Sequence, residues 1–476
     1  MTIPVRNPRS GEIDYHIEAA SAEAIAAAAA RLRTNQPAWL ALGAHGRAAV
    51  LLRWAEALQA NIAGIVGQLS VDTGRLAIAN IELFGVIGSV QRWAAQGPAM
   101  IAALDRTDVP SATPGVTISS RHVPYQLLGV IAPWNFPLLL ALIDAIPALL
   151  AGCAALIKPS QITPRFIPEL RKTIAAVPEL EAVVAVVEGD AGTGRAIVQN
   201  VDYICFTGSV ATGRKVAEAA AAAFIPANLE LGGKDPMIVL ASADPVQAAS
   251  IALRASVAAN GQACQSIERV YVHRAIAEAF TASLVEQARA VEPNYPDIAR
   301  GHIGPFIFPP QADKVQAQID AAVAAGARVL AGGKVEVLGG GRYLRPTVLV
   351  DVTPGMAVIA EETFGPVIPV TVYDDIDEAV RLANDSIYGL SASVIGDPAE
   401  AGIVGDRLDA GAISINDGSL TAGVWDAENC AFKQSGMGPS RMGDAGLLRY
   451  FRTKAIIRQD GQAVPIAAFA ERAMAD

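Results

Sequence analysis

Apolar positions along the chain fall into two textures. Near the start, Ser21 precedes an Ala-rich stretch and is placed to cap a helix there. Val50, Leu51, Trp54, Leu58, Ile62, Ile65, Val66 and Leu69 then recur at close to 3.6 residues, which predicts one long amphipathic helix stopping at Asp72-Thr73-Gly74. From residue 127 onward, short apolar runs alternate with Ala-rich helical patterns: LLGVIAP, CAALIKP, AVVAVVEG, YICFTGS and PMIVL. Each run has the length of a strand buried on both faces, so the series predicts a parallel, doubly wound α/β region. A second series follows Gly232 through RVYVH, ARVLAGG, PTVLV, FGPVIPVTVY and GAISIN, and predicts a second α/β lobe. Residues 116–123 and 448–458 alternate or are β-branched outside both series, and as exposed strand edges they need a partner, either each other or a neighbouring subunit.

The bulk numbers narrow the function. Of 476 residues, 52% are hydrophobic and 18% charged, enough apolar material for two or three packed domains. The net charge is −10 and no basic run stands out, which argues against a nucleic-acid partner. The apolar segment 127–157 is interrupted by Pro133, Asn135, Pro137, Asp144 and Pro147, so a buried strand, loop and helix account for it better than a membrane span. The first residues lack the character of a signal or transit peptide. Four cysteines, none in a CxxC pair, predict free thiols in a reducing cytoplasm, and five scattered histidines predict no metal site.

Six places carry possible chemistry. Residues 203–206 read as a strand, Thr207-Gly208-Ser209 as a tight turn and Ala211 onward as a helix, with Gly213 permitting close approach; the turn suits a pyrophosphate or is an ordinary βα connection. Lys158, at the end of a buried strand, is either a ligand-binding cation or a solvated turn lysine. Asn135, between rings and prolines in PWNFP, can donate to a developing alkoxide or cap the helix beginning near Leu138. Glu230, in NLELGGK, is either a partly desolvated general base, its two following glycines letting the backbone bend, or a surface ion-pair partner. Cys264 follows a Gly261-Gln262 helix break, where a lowered pKa makes a thiol nucleophilic, though most isolated cysteines are small buried hydrophobes; Cys153, Cys205 and Cys430 are read that way. Glu361 to Pro366 places carboxylates and a ring before a strand, to hold a ribose and nicotinamide or to form a plain acidic turn.

Taken together, APWNFP, ALIKPS, FTGS with Gly213, LELGGK, GQACQSIERV, EETFGPV and FKQSGMG resemble the aldehyde dehydrogenase superfamily in its own motif order, with Glu230 and Cys264 at its interval. The resemblance implies a Rossmann-type cofactor domain (1–110 and 129–231), a second α/β catalytic domain (232–440) and small β oligomerisation elements (111–128 and 441–476) in a homodimer or homotetramer. It implies Cys264 as nucleophile, Glu230 as base, and Asn135 with the Cys264 N–H as oxyanion hole. It further implies an NAD or NADP site, NAD favoured, from Trp134, Lys158, Ser160, Gln161, Gly208, Ser209, Glu362 and Phe364, and a tunnel lined by Leu140 and Ile143. The implied reaction oxidises an aldehyde, of medium size and apolar or aromatic, to its acid through a thioester. A CoA-acylating enzyme and a non-catalytic member of the fold are the alternatives, disfavoured by the retained Glu230 and the intact Asn135, Glu230 and Cys264 set. Two departures stand out: Gln161 replaces the Glu often found in NAD-preferring members, removing its repulsion of a 2'-phosphate, and PSRMGDAGLLRYF follows FKQSGMG where many members carry GRE and one residue fewer.

Overall fold

The computed structural model describes residues 1–471. Ser21 caps the helix Ala22–Ala41, its Oγ accepting from Ala24 N at 3.2 Å. The periodic stretch after it is two helices, Gly43–Ala60 and Ile62–Thr73, separated at Asn61. The apolar stripe continues in register across that break, which is why the spacing reads as one. Gly74, at φ 65°, ends the second helix in the left-handed conformation. A further helix, Leu76–Ala102, buries Ala79, Leu83, Val86, Val90 and Trp93 on one face.

The first sheet has six strands in the order Gly436–Met437, Ala227–Glu230, Tyr203–Thr207, Leu127–Ile131, Ala154–Lys158 and Val184–Val186. All neighbours run parallel except the first pair. Chain order therefore reverses between Leu127–Ile131 and Tyr203–Thr207, which opens a crevice at their carboxyl ends, the place where such sheets bind ligands. The second sheet has seven strands: Arg328–Ala331, Thr347–Val350, Val367–Tyr373, Ile267–His273, Asp235–Val239, Ser391–Ile395 and Ala412–Ile415. Neighbouring residues of its strands enter opposite cores: Met237, Val239, Val270 and Val272 join one and Ile238, Tyr271 and Val394 the other. PMIVL, placed by its texture in the first series, lies at the middle of this second sheet between Ile267–His273 and Ser391–Ile395. An apolar run reports burial on both faces and not which sheet supplies the neighbours.

A separate three-stranded antiparallel sheet joins Arg106–Pro110, Val116–Pro124 and Phe451–Gln459. The two segments left over by the sequence pattern thus pair with each other over nine residues, from Val116 with Gln459 to Pro124 with Phe451. Arg106–Pro110, upstream of residue 111, belongs to this sheet, whereas Leu127 and Leu128 belong to the first large one. Residues 472–476 of the expected C-terminal element lie outside the described residues. No described helix is long and apolar enough to cross a membrane.

Candidate active site

Four strands of the first sheet deliver their carboxyl ends to one place. After Leu127–Ile131 comes the loop with Trp134 and Asn135; Tyr203–Thr207 is followed by Gly208 and Ser209; Ala154–Lys158 ends on Lys158 and Ala227–Glu230 on Glu230. A cavity of about 260 Å³ sits over this crevice. Among its walls are Trp134, Asn135, Leu140, Gly208 and Ser209 from the first lobe, and Cys264, Glu362 and Phe364 from the second. Glu230 borders it through its neighbours Leu231 and Gly232. Lys158, Ser160 and Ile143 are buried outside its lining, and Gln161 opens onto a separate cavity of about 560 Å³ beside Phe308 and Arg342.

Asn135 is buried, and its Nδ2 donates to the Gln262 carbonyl at 3.0 Å, two residues before Cys264. It does not cap the following helix, Pro137–Leu142. Glu82 does, its Oε2 accepting from Leu138 N at 3.0 Å and Leu139 N at 3.1 Å. The second N–H of the Asn135 amide is thereby left for the cavity. Arg75, wholly buried in the same region, donates to the backbone carbonyls of Asn135 and, at 3.2 Å, Ala259, tying the amide loop to the cysteine loop. Neither Arg75 nor Glu82 carries a motif signal; both act across more than fifty residues of sequence.

The cysteine loop is bent by three successive residues at positive φ: Ala259, Asn260 and Gly261. A Cβ on Gly261 would come within 2.4 Å of the Gly365 backbone, so close packing as well as φ demands glycine. Gln262 anchors the turn, donating to Pro305 O at 3.1 Å and accepting from Ile307 N at 3.0 Å. The glycines after Glu230 serve closeness and not bending: a Cβ on Gly232 would meet the Glu362 carboxylate at 2.5 Å, and one on Gly233 the Cys264 carbonyl at 2.6 Å.

The second lobe supplies a rigid aromatic corner. Buried Lys234 pairs with Glu268 at 2.7 Å, and Glu268 accepts from Thr363 N and Phe364 N, each at 2.7 Å. Phe364 is thereby held at φ 57°, its ring edge-on to Trp134 at 5.4 Å. Glu362 accepts from Gly233 N at 3.2 Å; burial, reinforced by Glu268, lifts its carboxyl to about 7. Lys158 donates to the carbonyls of Pro159 at 3.1 Å and Gly189 at 3.0 Å, and burial lowers its ammonium to about 8. Ser209 caps the helix Val210–Ala223, and Gly213 lets that helix press on Leu231, whose Cδ2 an added Cβ would meet at 2.4 Å.

Residues 1–456 match the family model described as the aldehyde dehydrogenase family. The chain belongs to the aldehyde dehydrogenase family. Among relatives of this aldehyde dehydrogenase is a Mycolicibacterium smegmatis protein named "Putative succinate-semialdehyde dehydrogenase (NADP(+))", 36% identical over 95% of this chain and 88% of the relative. Among solved structures, one described as "Putative Aldehyde Dehydrogenase PutA" from Anabaena variabilis superposes with a TM-score of 0.95, at 46% identity over 98% of this chain and 99% of that one. Lactaldehyde dehydrogenase from Escherichia coli gives 0.88 at 30% identity over 96% of each chain.

In this aldehyde dehydrogenase the Cys264 thiol departs from the sequence expectation of a lowered pKa. Burial first, and then the carboxylates of Asp235, Glu230 and Glu362, push it up to about 12. Desolvation and like-signed neighbours both disfavour a thiolate, and no helix end offsets them. At neutral pH the resting sulfur is therefore protonated. Alkylation of the resting enzyme by iodoacetamide, followed by peptide mapping, is expected to modify exposed Cys430 first. The rate at Cys264 should keep rising by about tenfold per pH unit between about pH 7 and 10. A plateau at Cys264 below about pH 8 would mean that the thiol is activated before any ligand binds.

Proposed function

We propose that this aldehyde dehydrogenase oxidises an aldehyde to its carboxylic acid with NAD or NADP, through a thioester on Cys264 that water activated by Glu230 hydrolyses. The observation that carries the reading is the joint presence of Cys264 and Asn135 in the lining of one pocket, with Glu230 preceding the lining residues Leu231 and Gly232 and near enough for its charge to act on the Cys264 thiol. The donor set also fits the cofactor. Lys158, at the carboxyl end of its strand, is a buried ammonium whose hydrogen bonds go to two backbone carbonyls, leaving one N–H for a ribose hydroxyl. Ser160 stands beside it, the turn at Gly208 and Ser209 opens a 14-residue helix toward a pyrophosphate, and Glu362, Trp134 and Phe364 suit a second ribose and a flat ring. When bound, the oxidised nicotinamide supplies the hydride acceptor and a positive charge that offsets the carboxylates around the sulfur.

Within the chain, the Cys264 thiol gives up its proton to water as its sulfur bonds to the aldehyde carbon, and the oxygen that gains charge is met by the Asn135 amide and the Cys264 N–H. After oxidation the acyl group remains on sulfur. Glu230, its pKa raised chiefly by burial and restrained by Arg441, then takes a proton from water, whose oxygen adds to the thioester carbon. Expulsion of the Cys264 sulfur releases the acid. A water route of this kind makes no demand on CoA, whose addition should leave the rate unchanged.

A medium-sized apolar or aromatic aldehyde suits the lining best. Leu140, Trp134 and Leu231 are apolar, and no Lys or Arg is among the lining residues to receive a second carboxylate. The names of relatives favour a second reading, a short semialdehyde. A kinetic panel of aliphatic and aromatic aldehydes against succinate semialdehyde, each with NAD and NADP, decides between them. We expect the apolar aldehydes to give the higher kcat/KM, with NAD preferred and NADP also used because Gln161 carries no charge. Succinate semialdehyde outperforming every apolar aldehyde would reverse the substrate assignment. We further propose a homodimer or homotetramer built on the exposed strand Phe451–Gln459, where Ile456 and Ile457 face outward.

A further inference from the structure

The segment that departs from the family pattern enters the interior beside Glu230. Arg441 is largely buried; its Nη2 donates to Asp144 Oδ2 at 2.9 Å and to Thr207 Oγ1 at 2.8 Å. Its Nε makes no hydrogen bond and stands 3.8 Å from Glu230 Oε1. The other Asp144 oxygen accepts from Arg449 Nη2 at 2.5 Å, and Arg449 also donates to Asn228 Oδ1 at 2.8 Å. The cluster therefore holds two guanidinium groups against one fully engaged carboxylate. Cys205 and Tyr450, in the same cluster, have raised pKa values and add no charge. The Cys264 thiol, on which Glu230 also acts, is neutral as well. Charge balance in this poorly solvated region is reached only when Glu230 is ionised, since protonating it leaves a net buried cation.

We propose that Arg441, fixed by Asp144 and Thr207, is a positioning residue that faces the Glu230 carboxylate as an ion pair, with its Nε not hydrogen-bonded, and keeps it ionised for thioester hydrolysis. The proposal rests on the reading of Glu230 as the base. Asp144 sets the strength of the device. With both its oxygens on guanidinium groups it draws Arg441 away from Glu230, so the base is held at 3.8 Å and stays free to swing toward water near the sulfur. Arginine is suited to this because it stays protonated throughout, holding a proton-accepting partner without giving it a proton.

The test is the pH dependence of acyl-enzyme decay, followed by rapid quench after acylation with a good aldehyde, together with the burst of reduced cofactor. Arg441→Met should leave a burst of about one per site and move the acid limb of decay up by about one pH unit or more. Arg441→Lys should restore most of that shift. Asp144→Asn should move the limb down, because the guanidinium is then freer to pair with Glu230. Opposite shifts from the two sides of one ion pair are not what a loosened fold produces. If Arg441→Met does not fold, the signs in Arg441→Lys and Asp144→Asn still decide. An acid limb unmoved in the folded variants, or moved the same way by Asp144→Asn and Arg441→Met, overturns the proposal. Glu230→Gln separates the two levels: steady wild-type decay in that variant removes Glu230 as the base, whereas a stalled acyl enzyme with an unmoved limb in Arg441→Met removes only Arg441's role.

Discussion

Replacing Cys264 with alanine is expected to reduce aldehyde oxidation by a factor on the order of 10⁴ or more while leaving cofactor binding intact. The side chain forms the only covalent bond to substrate in the proposed route, and no other thiol lines the pocket. Asn135, Glu230 and Glu362 are acceptors or amides, and the other thiols are remote: Cys153 and Cys205 lie in the core of the first lobe and Cys430 is exposed. The fold should tolerate the change, since the Cys264 Sγ makes no hydrogen bond among the described residues. Titration of cofactor by fluorescence quenching, in parallel with turnover, distinguishes lost chemistry from lost structure. A variant that binds cofactor normally and still turns over at a tenth of the wild-type rate or better would exclude the covalent route.

Glu230→Gln should behave differently. Acylation needs the sulfur and the amide, so a burst of about one reduced cofactor per site is expected, followed by turnover slowed about 10²- to 10⁴-fold. Gln keeps the shape and can still meet the Arg441 Nε with its amide oxygen, so the ladder that fixes the Glu230 backbone should persist: Gly208 N to Glu230 O at 3.0 Å and Leu231 N to Ser435 O at 2.8 Å. What is lost is the proton acceptor. The wild-type decay rate should fall as pH drops through the pKa of Glu230, which burial raises above the ordinary carboxylate range; the carboxylate is active above that value and lost below it. Undiminished steady turnover in Glu230→Gln would remove the residue from the mechanism.

Much of this arrangement is legible in the sequence because it is local. Ser21 caps the helix that follows it, the apolar runs at 127–131, 154–158 and 203–207 are strands buried on both faces, and a Gly-Gln break before Cys264 does form a turn, a buried one. What is missed depends on partners far along the chain. Asn135 reads equally as a helix cap until Glu82, 56 residues before Leu138, is seen to occupy that role for it. The raised pKa of Cys264 follows first from burial in the assembled fold and then from carboxylates at positions 235, 230 and 362, none of which a local window contains. The glycines of LELGGK look like hinges but are spacers against Glu362 and Cys264. PSRMGDAGLLRYF reads only as a departure in length, although it carries Arg441 and Arg449 into the cluster behind the base.

Mass measurement of the quenched Glu230→Gln enzyme bears most directly on the central claim. After mixing with oxidised cofactor and a good aldehyde, acid quench and digestion, the peptide containing Cys264 should gain the mass of the acyl group, at close to the stoichiometry of the burst, and lose it on treatment with hydroxylamine. Reduced cofactor released in full with that peptide unmodified, or the acyl mass on another residue, would contradict the account.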